Sequence, residues 1–200
     1  APKDRYLSRP EIDRLLAADC EPHIRLAILL MLTTAGRIGA ILDLTWDRVD
    51  LERGQINLRT DQEGPRKGRA IVPINATLRA ALASAKEAGL SDYVVEWAGG
   101  PIRSIRKGWE RAIASADLPR ISPHTLRHTA AVHMAEGGVP MSQIAQFLGH
   151  SSTAVTERVA PVCTLSFIKP LIVEASAPLM ADRVLVGRTP GIVLPMTLFV

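Results

Sequence analysis

Cysteine is scarce in this chain: Cys20 and Cys163 are the only two in 200 residues, far apart and in no C-x-x-C pattern. Their scarcity excludes a disulfide framework and a cysteine-based zinc knuckle, and it fits a reducing compartment. Long apolar runs are missing too. The apolar end, Thr189–Val200, is broken by Pro190 and Pro195 and falls short of the roughly 18 residues a membrane span needs. The opening Ala-Pro-Lys-Asp-Arg lacks the apolar centre of a signal peptide, so the expected location is the cytoplasm. There is no internal repeat and no low-complexity segment. Tyrosine stops early: Tyr6 and Tyr93 are the only two, and none follows them.

What is present suffices for one packed domain, with 47% apolar residues in 200. The net charge is only +4, but the isoelectric point of about 9.4 leans toward an anionic partner.

The pattern along the chain predicts a mainly α protein with a small antiparallel β-sheet. Ser8-Arg-Pro-Glu11 has the form of a helix start, with a serine cap, a proline in the first turn and a glutamate three residues on. A second helix begins near Pro22, with Ile24, Ala27, Ile28, Met31 and Leu32 at helical spacing, and ends at Gly36. A short third helix spans Ile38 to Asp43. Gln55–Arg59 alternates as a strand does, and Arg69–Ile74 reads as its partner. The turn formers and charges between them predict a hairpin. Helices are then expected over Thr77–Ala88, Ile102–Ala116, Pro123–Glu136 and Met141–Leu148. After Arg158 the texture changes. Charge thins to Lys169, Glu174, Asp182, Arg183 and Arg188, prolines recur, and no period survives. The expected division is therefore a folded unit over 1–158 and an atypical tail over 159–200.

Two nearly adjacent phrases carry the chemistry: Ser122-Pro-His-Thr-Leu-Arg-His-Thr and Ile144-Ala-Gln-Phe-Leu-Gly-His-Ser-Ser. His124 and Arg127 lie three apart at a helix start, on neighbouring positions of one face. A helix N-terminus offers backbone N–H groups to a phosphate. Arginine adds a planar fork that meets two phosphate oxygens and keeps its charge. His124 and His128 have the spacing of a metal pair, but Thr125 stands where an H-E-x-x-H site needs glutamate. No metal or other cofactor is expected, and His133 is read as a satisfied core or helix-surface residue.

These phrases resemble the signature of the tyrosine recombinases, the phage-integrase family that cuts and rejoins DNA. Ala35-Gly-Arg-Ile-Gly-Ala-Ile-Leu-Asp-Leu-Thr-Trp resembles the segment bearing that family's first catalytic arginine, here Arg37. His124-Thr-Leu-Arg127 resembles its H-x-x-R motif, and Leu148-Gly-His150 supplies the following histidine. Pro65-Arg-Lys-Gly-Arg-Ala-Ile-Val-Pro-Ile is similar to its β-hairpin, whose lysine protonates the departing 5′-hydroxyl. Lys67 takes that role here, with Arg66 and Arg69 as competitors and DNA contacts. The resemblance runs in order from Tyr6 to Arg158.

It implies site-specific recombination of double-stranded DNA through a 3′-phosphotyrosine, in prophage-type integration, by tetramers, without metal or ATP. Arg37, His124, Arg127 and His150 would hold the phosphate. Two departures matter. Ala40 replaces a glutamate the family commonly carries, leaving Asp43 as a possible acidic partner for Arg37. The nucleophile, expected near Val159 or Ala160, is missing. A frameshift just after Arg158 would account for both the missing tyrosine and the altered tail. The implied chain is deficient in cleavage and doubtful in tetramer assembly. The alternative is a non-catalytic DNA-binding or regulatory relic of an integrase. A metal-dependent hydrolase and a topoisomerase fit less well, the first for want of carboxylates and the second because it also needs the tyrosine.

Overall fold

The first helix, α1 (Arg9–Ala17), starts where the sequence asks it to. The Ser8 N–H donates to the Glu11 carboxylate at 2.9 Å, which satisfies one of the amides a helix start leaves open. That bond is the main reason the Glu11 carboxyl titrates below its ordinary range. The computed structural model describes residues 5–58 and 71–149.

The central element is α2 (Pro22–Thr34), and its sequence explains its place. Ile24, Leu26, Ala27, Ile28, Leu30 and Met31 are all buried, so the helix is covered on most sides. It packs against α6 (Pro123–Glu136), α3 (Ile38–Leu42), α4 (Ala76–Ala88) and α1. The helix α5 (Arg106–Ser115) leans on α1, and α7 (Met141–Leu148) on α6.

After α3 and a single 3₁₀ turn (Trp46–Arg48) comes a three-stranded antiparallel sheet in the order β1 (Val49–Asp50), β2 (Gln55–Asn57), β3 (Ile71–Pro73). Val49 faces Ile56, and Ile56 faces Val72; all three are buried, while Gln55 and Ile71 point outward. The period of two thus sends one face into the core. A second, two-residue ribbon pairs β4 (Glu96–Trp97) with β5 (Gly100–Pro101). Its turn residues Ala98 and Gly99 both have positive φ, +51° and +77°, as the tightest hairpins require.

The mainly α architecture with a small antiparallel sheet agrees with the sequence expectation. Three local features differ. β1 and the β4–β5 ribbon are too short to show a period, and α5 begins at Arg106 rather than Ile102. Gly100 and Pro101 are taken by a strand, and Arg106 follows a Ser104 hydroxyl that accepts its N–H at 3.3 Å.

The segment before α1 is fastened to α6 by one residue's backbone. The Leu7 N–H donates to Thr129 Oγ1 at 3.0 Å, and the Leu7 carbonyl lies 2.8 Å from His133 Nε2. His133 Nδ1 in turn meets Glu136 at 2.9 Å. His133 is buried with both ring nitrogens engaged, as the core reading of this histidine expects. Tyr6 lies edge-on to His133 and His128, with ring centroids 6.0 and 6.5 Å away.

Candidate active site

Three helix ends converge on one arginine. Ser122 caps α6, its N–H donating to Thr125 Oγ1 at 3.3 Å, and the first turn of that helix presents His124 and Arg127. Arg127 is 5% exposed. Its guanidinium donates to the carbonyl of Leu148, at the end of α7, at 2.6 Å, and to the carbonyl of Ala35, just past the end of α2. Helix C-termini carry partial negative charge, so two of them make a suitable seat for a cation.

Both helices end in the left-handed conformation, which turns the chain sharply and leaves the last carbonyls facing the guanidinium. Gly149 does this for α7 at φ +66°. For α2 it is Ala35, at φ +49° and wholly buried. A non-glycine residue pays roughly 1–2 kcal/mol for that conformation, which the surrounding packing has to offset. Gly36 then follows in a space with no room for a side chain: a Cβ there would sit 2.7 Å from Ile41 Cδ1.

The chain next places Arg37 as the N-cap of α3, exposed to solvent. Arg37, Arg127 and His124 are close enough for their charges to act on one another. Burial, and secondarily Arg37, lowers the Arg127 pKa to about 10. It remains a cation at neutral pH. The His124 ring is open to solvent on one side, yet its pKa is also lowered. Desolvation is the largest cause, followed by Arg127, Arg37 and His128. A cluster of like charges held together this way is suited to an anion, which would relieve the mutual repulsion.

Of the residues expected at the site, the structure therefore brings together Arg37, His124 and Arg127. Lys67, Arg66, Arg69 and His150 lie outside the described residues, as do Val159 and Ala160, where the nucleophile was expected. Ala40 is buried at 4% exposure, packed as a small apolar residue where the family resemblance called for glutamate. Asp43 sits exposed at the C-cap of α3. Tyr93 is half-buried in an isolated antiparallel bridge to Thr45. His128 is half-buried beside Tyr6. Among the described residues no group of three or more His, Cys, Asp and Glu side chains could hold a metal ion, and no helix is long and apolar enough to cross a membrane. Sequence reasoning missed the two carbonyls that seat Arg127, because backbone atoms leave no mark on residue identity. A faint signal was there in the small residues Ala35 and Gly149, each ending an apolar helix.

The family model described as "Phage integrase family" matches residues 5–160. The chain belongs to the phage integrase family. Among its relatives, the tyrosine recombinase XerC of Corynebacterium efficiens is 34% identical over 152 residues, covering 70% of this chain and 48% of that protein. The tyrosine recombinase XerD of Caulobacter vibrioides is 31% identical over 185 residues, covering 78% of this chain and 57% of the relative. The chain spans about half the length of the curated relatives it matches. The crystal structure of XerA recombinase superposes with a TM-score of 0.65 at 27% identity, covering 80% of this chain and 59% of that one. The mainly helical fold with small antiparallel sheets is thus the fold of integrase-family catalytic domains.

Proposed function

We propose that this chain is the DNA-phosphate-gripping catalytic unit of a site-specific recombinase, and that as it stands it binds DNA without cleaving it. The observation that carries the reading is the Arg37–His124–Arg127 cluster, gathered at the mouth of α6 by three helix ends. The two guanidiniums face the non-bridging oxygens of the scissile phosphate, where negative charge grows as the phosphorus becomes five-coordinate. His124 adds a donor whose proton uptake is favoured once a phosphate is present. His150 completes the phosphate contacts, and Lys67 gives a proton to the departing 5′-hydroxyl. Arg66 and Arg69 contact the DNA backbone beside it.

The reaction needs one more part. An in-line nucleophile must attack phosphorus and form the 3′-phosphotyrosyl bond, which stores the phosphodiester for rejoining. No tyrosine follows Tyr93 in the sequence. The phosphate grip is retained and the attacking group is absent, which supports a unit over 1–158 that recognises duplex DNA, followed by an atypical tail over 159–200. That same fact favours the second reading, a DNA-binding or regulatory relic of an integrase. In either case the protein works on DNA in the cytoplasm, at an integrated element of prophage type. Assembly into tetramers on DNA would depend on partners that supply the missing group.

A nicked suicide duplex incubated with this chain and run on a denaturing gel tests the proposal. The expected result is retarded DNA under native conditions and no covalent protein–DNA band after denaturation. A covalent band would show that a nucleophile operates, and peptide mapping would locate it. Failure to bind duplex DNA even at low salt would remove the phosphate grip and the proposal with it.

A further inference from the structure

We infer that Thr34 is a positioning residue for the phosphate grip, acting through the corner Thr34-Ala35-Gly36-Arg37; this rests on the phosphate-binding role proposed above for Arg37 and Arg127. Thr34 is a fully buried polar side chain at the last position of α2. Its hydroxyl makes two bonds of opposite sense. It donates to the Leu30 carbonyl at 2.6 Å and accepts the Gly36 N–H at 3.1 Å. The first bond fixes the rotamer against the helix, and the second pulls the chain two residues on back toward it.

The corner has little other freedom. Ala35 is held left-handed, so its carbonyl points at the Arg127 guanidinium. Gly36 is pressed under Ile41, and the Ile41 N–H donates to the Arg37 carbonyl at 3.1 Å. Thr34 Oγ1 also lies 3.0 Å from where a Gly36 Cβ would stand. One hydroxyl thus sets the path that presents the Ala35 carbonyl to one cation and Arg37 to solvent beside it. If the Gly36 N–H is released, Ala35 can leave its unfavourable conformation, and both arginines lose their mutual register. Because Thr34 is buried beneath the corner, its effect on bound DNA passes through Arg37 and Arg127.

A double-mutant cycle on the full chain tests this. Duplex DNA binding is followed by fluorescence anisotropy at several salt concentrations for Thr34→Val, Thr34→Ser, Arg37→Ala and the Thr34→Val/Arg37→Ala pair. Thr34→Val keeps the shape and loses the hydroxyl. It should weaken binding about tenfold, the scale of one charge-assisted hydrogen bond, and flatten the salt dependence by about one phosphate contact. Thr34→Ser should restore both, and the pair should lose less than the sum of the two single losses, because part of the effect of Thr34 passes through Arg37. Thr34→Ala replaces the valine variant if that one fails to fold. Wild-type affinity in the hydroxyl-free variant, or losses that simply add in the pair, would overturn the inference. If Arg37→Ala itself leaves affinity and salt slope unchanged, the phosphate-grip reading fails, which is a different outcome.

Discussion

Arg127→Met separates the two roles that Arg127 combines. Methionine fills a similar volume and removes the charge, so the Ala35 and Leu148 carbonyls lose their shared donor. An orphaned buried polar group costs about 1–3 kcal/mol, and carbonyls with a second lone pair fall at the low end, so the pair contributes about 2–4 kcal/mol of destabilisation. Against this stands what the charge itself costs. The lowering of the Arg127 pKa to about 10 corresponds to roughly 3 kcal/mol held against the cation by burial and by Arg37. The two effects nearly cancel. The melting temperature should therefore fall by no more than a few degrees, at about 2–4 °C per kcal/mol for a chain of this size. DNA affinity should fall at least tenfold and the salt slope by about one contact. Arg127→Lys should behave in the opposite way, because an ammonium keeps the charge but cannot span both carbonyls. Its salt slope should stay near that of the parent while its melting temperature falls. Calorimetry and anisotropy titrations on the two variants decide the matter. A methionine variant that binds DNA with an unchanged salt slope would refute the assignment of Arg127 to a phosphate.

Other expectations follow from the same geometry. The His124 pKa is lowered from 6.5 in the free protein, and a bound phosphate raises it, so binding takes up a proton. Affinity should strengthen as pH falls from about 7.5 to 5.5, with the trend absent in His124→Gln. Without DNA the sign is reversed for stability. Above 6.5 nothing is lost. As pH falls below that value the unfolded chain protonates first and the fold weakens, until the folded-state pKa is passed. Ala35→Val should cost more than 2 kcal/mol by denaturant titration, since a β-branched residue is poorly accommodated left-handed. Ala35→Gly should be nearly neutral, as relief of strain is offset by a lost buried methyl worth about 0.8 kcal/mol. The Trp109 indole N–H donates to the Ile121 carbonyl at 3.0 Å, just before α6. Trp109→Phe should thus cost about 1–3 kcal/mol, read as a lower melting temperature.

The sequence discloses the helices well because their cues are local. The Ser8–Glu11 pair, the apolar run of α2 and the Ser122-Pro start of α6 each act within a few residues. The site was partly legible for the same reason: His124 and Arg127 share one helix turn, and their relation can be read from spacing alone. Arg37 lies 90 positions before Arg127, and only the family resemblance placed it at the same site. The seat beneath Arg127 was not legible. It is made of two backbone carbonyls, which residue identity marks only faintly, in Ala35 and in the Gly149 that follows Leu148. Thr34 carries no mark in the sequence, because its importance lies in a bond to the backbone two residues on. The short strands β1, β4 and β5 escaped because two residues cannot display a period.

The grip of Arg127 on Leu148 also bears on how the chain opens. The end of a short helix ordinarily frays at little cost, yet α7, at eight residues, cannot let go of its end without stripping a partner from a buried cation. Its amides should therefore exchange with solvent in step with those at the end of α2 rather than independently. A phosphate that steadies Arg127 would slow exchange at both places together. The end of α7 thereby reports occupancy at the site through its own amides.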